Sequence, residues 1–153
     1  MKQTYSKYKK THVKILKDAG ANMFNKKNTP SKKQDNNLIT GDWFFMSPDD
    51  INVRAIYDIL KDNYTMEIWE AANILEIELS EKESIDFEPL KPYFKDKEGD
   101  AFLKHNQIQT LFMVTFPPAQ FETVKKIMQT ILSHCDGFFC ADSEDFTPMV
   151  HRA

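Results

Sequence analysis

The sequence contains few of the residues that cross-link a chain or form ligand-binding loops: its 153 residues include two cysteines and four glycines. Two cysteines, Cys135 and Cys140, are too few for the disulfide framework of a small secreted domain, so a reducing cytoplasm is the expected location. The glycines are not grouped, which excludes the GxGxxG and Walker loops that bind phosphates through the backbone. No apolar run approaches the ~20 residues of a membrane-spanning helix, so no membrane partner is expected.

Catalytic and metal-binding motifs are equally scarce. The GxSxG and HExxH patterns are absent, and the four histidines are scattered along the chain. His134, Cys135 and Cys140 fall short of the paired spacing that a zinc site needs. We expect both thiols to pack as small buried hydrophobes and His134 to suit the C-terminal end of a helix. The sequence therefore predicts a protein that is not an enzyme and binds no cofactor or metal.

The composition that is present is that of a globular protein with an uneven charge distribution. Hydrophobic residues make up 41% and charged residues 28% of the chain, and one domain of this length buries roughly 70% of its unfolded surface. Residues 1–33 carry ten lysines against one acid, Asp18, a net charge of +9, whereas residues 34–153 carry −12. Either the basic segment neutralises the acidic body, or one of the two meets an oppositely charged partner.

The chain divides into three segments by residue spacing. Apolar residues recur at three and four positions within residues 1–24, which predicts a basic N-terminal helical arm. Residues 25–37, NKKNTPSKKQDNN, contain no apolar residue and several turn formers, so they are predicted to be a polar linker. Residues 38–153 are predicted to form a single α+β domain.

Within that domain the chain follows one strand–helix pattern twice. LITGDWFFM is predicted to be a strand, with Ser47 as the helix N-cap, Pro48 at the first helical position and a helix within INVRAIYDILKDN. IQTLFMVTF is the second such strand; a long amphipathic helix follows, Gly137 is its predicted left-handed C-terminal cap, and FFCA forms a last strand. The repetition is one of pattern and not of sequence.

Two strand–helix–strand units predict a ferredoxin-like split β-α-β sandwich of the α+β class, with an inserted β-hairpin and an extra N-terminal helix. The first and third strands are central in that topology, and the two longest apolar runs fall there, as expected for strands covered on both faces. A two-layer sandwich covers one sheet face only. The N-terminal helix, or the partner in a homodimer, is therefore expected to cover the other.

The predicted hairpin, residues 74–88, lies within the stretch ILEIELSEKESIDFEPL, residues 74–90, and a polar stretch, residues 89–106, is predicted to extend it. Alternation places Leu75, Ile77 and Leu79 with Ile85 and Phe87 on one face, which can pack on a core. The opposite face collects only carboxylates: Glu76, Glu78, Asp86 and Glu88. Like charges on neighbouring strands are mildly destabilising, so either water and salt make this cost trivial or the acidity marks a functional surface.

Further candidates for the same surface lie on either side in the sequence. Asp142, Glu144 and Asp145 form an acidic loop after the last strand, and could extend the hairpin's acidic face. Aromatic anchors are needed for affinity, because exposed charges mainly steer association. The predicted partner-binding residues are thus the four hairpin carboxylates, the loop carboxylates and three aromatic residues, Trp69, Tyr93 and Phe94.

These features predict a non-enzymatic protein whose acidic surface inhibits a basic protein partner. In charge and size the chain resembles bacterial immunity proteins, which block a co-encoded toxin. Because a nuclease toxin must bind a polyanion, its active site is cationic, and an acidic face could dock there in place of the substrate.

Other classes of function remain open at the sequence level. The basic arm with Tyr5 and Tyr8 could hold phosphates, but arginine is absent from residues 1–53 and the acidic body would repel nucleic acid. A small metal-dependent enzyme could use the acidic loop 142–145, although the EF-hand pattern fails there. A ligand-binding regulatory domain of ferredoxin-like type is the third possibility.

Overall fold

The computed structural model describes residues 39–153. The predicted arm of residues 1–24 and the predicted linker of residues 25–37 lie outside the described residues. The fold below is that of the larger of two compact units, which comprises residues 40–142 and 146–153.

This unit is a mixed α+β structure with a single antiparallel sheet. The strands of the described part are β1 Asp42–Ser47, β2 Met66–Trp69, β3 Ile74–Ser80, β4 Glu83–Leu90, β5 Thr110–Thr115, β6 Phe138–Ala141 and β7 Met149–Val150. The helices are α1 Val53–Leu60, α2 Lys97–His105 and α3 Phe121–Leu132, with a 3-10 turn at Pro118–Gln120. The strand order is β2-β3-β4-β5-β1-β6-β7, and every neighbouring pair is antiparallel.

Strands β1 and β5 occupy the middle of the sheet, as their continuous apolar sequences predict. Trp43, Phe45 and Met46 of β1 are fully buried, which requires cover on both faces because successive side chains point to opposite sides. The unit β5–α3–β6 places β1 between its two strands. The connection from β5 through α3 to β6 therefore passes over β1, which comes earlier in the sequence.

One sheet face, which we call the helix face, packs against α1 and α3. Cross-strand partners share a face, so Phe45 lies between Phe112 and Phe139, and the Phe45 and Phe139 rings stack with centroids 4.7 Å apart. Phe121 of α3 stacks on Trp43 at 5.4 Å, and α1 packs on α3. Each fully buried aromatic side chain contributes about 1.5–3 kcal/mol of transfer free energy.

The predicted start of α1 is wrong. The helix begins at Val53, and its N-cap is Asn52, whose side-chain oxygen accepts a hydrogen bond from the backbone N–H of Ala55 at 2.9 Å. Ser47 instead ends β1: its hydroxyl donates to the carbonyl oxygen of Asp136 at 2.6 Å and accepts from the N–H of Asp49. Both residues are good caps, and the long-range bond to Asp136 decides which of them is used.

Gly137 is also not the helix cap that its position predicts. Helix α3 ends at Leu132, and Ser133 is its C-cap. Gly137 has φ +133°, and a Cβ there would collide with the carbonyl oxygen of Met46. This glycine is required where the chain enters β6 in close contact with β1.

Helix α2 was not predicted, and the stretch of residues 89–106 is not simply a polar extension. Asp96 caps this helix by accepting from the N–H of Gly99 at 2.7 Å, and its Phe102 ring lies edge-on to Phe138 at 6.1 Å. Phe138 is opposite Met46 in the sheet register, so α2 covers part of the face opposite the helix face. The predicted cover by the N-terminal helix lies outside the described residues, and cover by a dimer partner stays a prediction.

The predicted pairing of the hairpin strands is confirmed, but the predicted position of the hairpin in the fold is wrong. Leu75 is opposite Phe87 and Ile77 is opposite Ile85, and all four side chains are fully buried. The hairpin is not an appended insertion, however, because β4 pairs directly with the central strand β5. It carries the main sheet outward to β2 at the edge.

Candidate partner-binding face

Four carboxylates and one threonine form a row across the sheet on the face opposite the helix face. Glu67 of β2 is directly opposite Glu76 of β3, and Glu76 is opposite Asp86 of β4. Asp86 is opposite Thr115 of β5, which is opposite Asp42 of β1. We call this set the carboxylate row. Directly opposed residues have Cβ atoms about 4.5–5.5 Å apart, so like charges there oppose strand pairing.

The register brings Asp142, the first residue of the predicted acidic loop, to the end of this row. The backbone N–H of Asp142 donates to the carbonyl oxygen of Asp42 at 2.9 Å, and the pairing of Trp43 with Ala141 places Asp142 opposite Asp42. Glu144 and Asp145, which follow in the sequence, belong to the smaller unit. Both are exposed, and the Ser143 hydroxyl donates to the Asp145 carboxylate at 3.3 Å.

The neighbouring row on the same face is apolar apart from Glu88. Glu88 is opposite Met113 of β5, which is opposite Phe44 of β1. Leu75 is opposite Phe87, so one residue further along the two antiparallel strands Ile74 is opposite Glu88. Trp69 of β2 is opposite Ile74. Both direct neighbours of the Glu88 side chain are therefore apolar, and both are buried.

This position raises the pKa of Glu88 to about 7, first through desolvation and then through repulsion by Asp86. Burial also raises the pKa of Asp42 above its ordinary value. The face thus combines carboxylates in a polar row with one half-buried carboxyl that ionises near neutral pH.

The three predicted aromatic anchors occupy different environments. The indole N–H of Trp69 donates to the Glu76 carboxylate at 3.2 Å, so this partly buried ring lies within the acidic face. Tyr93 is 61% exposed in the segment after β4. Phe94 is partly buried; its ring packs edge-on to Phe44 at 5.3 Å and stacks on Phe146 at 5.8 Å over this face.

A groove of about 350 Å³ lies at the end of the hairpin half of the sheet. Its lining includes five carboxylates from β2, β3, β4 and the connecting turn: Glu67, Glu76, Glu78, Glu81 and Glu83. One of them, Glu83, accepts hydrogen bonds from Ser80 at 3.2 Å and from the side chain of Gln120 at 2.7 Å. The lining also includes Lys82, so the groove is polar with an excess of carboxylates, and it shares Glu67 and Glu76 with the carboxylate row.

The two cysteines lie in environments that disfavour the nucleophilic thiolate. Cys140 is buried in β6 and Cys135 is half-buried after α3. Burial raises the pKa of both thiols, that of Cys135 to about 11, so the reactive thiolate is scarce at neutral pH. His134 lies just beyond the end of α3, where its Nδ1 is 3.0 Å from the carbonyl oxygen of Thr130. Within residues 39–153 no group of three His, Cys, Asp or Glu side chains is placed to hold a metal ion.

Two members of the carboxylate row, Asp42 and Glu67, were missed by sequence reasoning. The alternation in MEIW, residues 66–69, is the signal that identifies Glu67 as a surface position beside the hairpin. Asp42 carries no such signal, because only the strand register brings it into line with Asp86.

Comparisons with protein-family models, with curated proteins and with solved structures find no match to this chain. In the described part of the chain, none of the helices has the length and apolar character needed to cross a membrane.

Proposed function

We propose that this chain is a non-enzymatic binding protein whose carboxylate face docks on a basic protein and inhibits it. The observation that carries the proposal is the register, which aligns Glu67, Glu76 and Asp86 directly opposite one another. Trp69 and Ser84 donate hydrogen bonds to Glu76 and Asp86, and the alignment concentrates negative charge on one face of the sheet. This concentration of carboxylates supports a partner that presents lysine and arginine side chains.

The chemistry of the partner follows from this face. Opposed carboxylates create a negative potential that attracts lysine and arginine and accelerates association at low salt. Affinity also needs aromatic residues that become desolvated on docking. Trp69, within the acidic face, and the exposed Tyr93 are the aromatic groups that we assign to this role.

The specific partner that we propose is a nuclease toxin encoded beside this chain, which would make the chain a bacterial immunity protein acting in the cytoplasm. A toxin that cleaves a polyanion presents a cationic active site, and a row of carboxylates can occupy the positions of phosphates there. The proposal rests on this chemical complementarity and on the size and charge of the chain.

We further assign the four strands β4-β5-β1-β6 to a ferredoxin-like core. Their order and antiparallel pairing support this assignment, as does the crossover of β5–α3–β6 around β1. Strands β2 and β3 then extend the core on one side and β7 on the other.

The test compares three forms of the full-length chain: wild type, a face variant and a charge-matched control. The face variant carries Glu76→Gln, Glu78→Gln, Asp86→Asn and Glu88→Gln. The control removes four exposed carboxylates in or beside α1 and α3 through Asp50→Asn, Asp58→Asn, Asp62→Asn and Glu122→Gln. All three should unfold cooperatively and give matching circular dichroism spectra.

Partners are captured from a lysate of the source cells on each form, and the purified candidate is then measured by surface plasmon resonance at two salt concentrations. We expect a basic protein that binds wild type and control, binds the face variant with a lower association rate, and responds less to salt with that variant. Co-expression of wild type should also relieve toxicity of the candidate. Unchanged association kinetics with the face variant would contradict this assignment of the docking surface.

A further inference from the structure

We propose that the outer edge of β2 binds an extended segment of the basic partner, which adds an antiparallel strand to the sheet and places lysine or arginine beside the carboxylates. This inference rests on the proposed function and names the way in which the partner docks. Two observations carry it together: the direction of the backbone groups on β2, and the acidic groove that borders this strand.

The register of β2 on β3 shows which backbone groups of β2 point outward. The N–H of Glu78 donates to the carbonyl oxygen of Thr65 at 2.9 Å, so these two residues form a hydrogen-bonded pair. Such pairs alternate along antiparallel strands with pairs that are not hydrogen-bonded, and Met66 and Ile68 fall at the second kind of position. The N–H and C=O groups of Met66 and Ile68 therefore point away from β3.

These outward groups lie at an edge of the sheet. In the order of the described strands β2 comes last on its side, and within residues 39–153 the strand that pairs with it is β3. The strand at the opposite edge, β7, has two residues and offers less backbone for pairing. Exposed sheet edges are the places where extended peptides add a strand through main-chain hydrogen bonds.

Charge selects a basic segment for this edge. Glu67 is the exposed residue of β2, and the groove of about 350 Å³ that it lines carries five carboxylates against one lysine, Lys82. A lysine or arginine opposite Glu67 on an added strand forms a cross-strand pair of opposite charge. A second copy of this chain would instead bring two acidic edges together, so self-pairing is disfavoured.

The two faces of β2 define the other side chains of the segment. Met66 and Ile68 are half-buried and share the helix face with the buried hairpin residues opposite them. Apolar side chains on the added strand extend that face, whereas the residue opposite Glu67 projects toward the carboxylates. The segment is thus one in which apolar and basic residues alternate, and in antiparallel pairing its apolar residues exchange hydrogen bonds with Met66 and Ile68.

The first test uses the full-length chain and a peptide of about eight residues in which valine and lysine alternate. Binding is followed by the fluorescence of Trp69 on β2, since the other tryptophan, Trp43, is fully buried. Two further peptides are N-methylated, one at every valine and one at every lysine. Only the valine N–H groups face β2 in this pairing, so methylating the valines should weaken binding by about tenfold or more and methylating the lysines should change it little. A peptide that alternates valine and glutamate should not bind.

The second test locates the peptide on the protein. At saturating valine–lysine peptide, amide exchange at Met66 and Ile68 should slow by about tenfold or more, whereas exchange at Glu67, whose N–H faces β3, should change little. Ile68→Pro removes one outward donor and should weaken binding by about tenfold. Ile68→Ala loses the same side chain but keeps the N–H, so it is the matched control. Both variants should give the circular dichroism spectrum of wild type.

Three outcomes would overturn the inference. The peptide binds without slowing exchange at Met66 and Ile68 or without discrimination between the two methylated forms, which leaves the carboxylate face as the docking surface. Wild type does not bind the valine–lysine peptide; the proposed function is then judged separately, by the association rate of the captured partner with the face variant. Exchange at these two residues slows with protein concentration alone, which assigns the edge to a second copy of the chain.

Discussion

Replacing Glu88 by glutamine should stabilise the protein at high pH and have little effect at low pH. The folded-state pKa of Glu88 is raised from 4.5 to about 7, so the folded protein holds this proton more strongly than the unfolded chain. The contribution of Glu88 to stability is therefore complete below pH 4.5 and is lost as the pH rises through 7. Glutamine is neutral throughout and removes the loss.

The shift would correspond to about 3.4 kcal/mol if it were fully expressed. Because Glu88 is only half-buried, solvent screening reduces the expected value, and we expect Glu88→Gln to gain about 1–2 kcal/mol at pH 8. Urea unfolding of wild type, Glu88→Gln and Glu122→Gln at pH 4.5 and pH 8 measures the difference in the free energy of unfolding. A Glu88→Gln gain that is the same at both pH values, or that Glu122→Gln reproduces, would refute the reasoning.

Three further predictions concern caps, backbone and thiols. Asn52→Ala should lower the free energy of unfolding by about 1 kcal/mol because α1 loses its N-cap. The effect of Ser47→Ala on that free energy should instead come from the lost hydrogen bond between β1 and the Asp136 carbonyl oxygen. Urea unfolding measures both changes, and amide exchange in α1 distinguishes them. Gly137→Ala should lower the free energy of unfolding, measured in urea, by at least about 2 kcal/mol. The alanine would have to adopt a positive φ, and its Cβ would collide with the Met46 carbonyl oxygen. With a pKa of about 11, Cys135 should react with Ellman's reagent at pH 8 on the order of a hundredfold more slowly than free cysteine, and unfolding in urea should remove that protection.

The hairpin and α3 could be predicted because their signals are local. Period-two alternation at Leu75, Ile77, Ile85 and Phe87 specifies both the strands and the buried face. The apolar stripe of α3 likewise agrees with the buried side chains Val124 to Leu132. In each case the pattern extends over several residues, so tertiary contacts reinforce what the local sequence already favours.

The boundaries of α1 and the existence of α2 could not be predicted by the same reasoning. Ser47 and Asn52 are both competent caps, and the choice depends on a hydrogen bond to Asp136, 89 residues away. Helix α2 buries only Gly99 and Leu103, so its sequence carries almost no apolar stripe. It forms because Asp96 caps it and Phe102 reaches the aromatic cluster over the sheet.

The candidate face was partly predictable for a related reason. Alternation alone identified Glu76 and Asp86 as neighbours. The addition of Asp42 required the strand order, which comes from pairings between segments far apart in the chain. The apolar surroundings of Glu88 depend on Met113, which is 25 positions away in sequence but directly opposite in the sheet.

The carboxylate row gives ionic strength two opposite effects on this molecule. The Debye length falls from about 10 Å at 0.1 M salt to about 3 Å at 1 M, below the spacing between opposed side chains, so salt added in this range weakens the repulsion among Glu67, Glu76 and Asp86. Salt should therefore slow amide exchange in β2, β3 and β4, because these strands open less often. The same salt would weaken the attraction to the basic partner that we propose, so conditions that favour pairing in this half of the sheet would oppose docking on it.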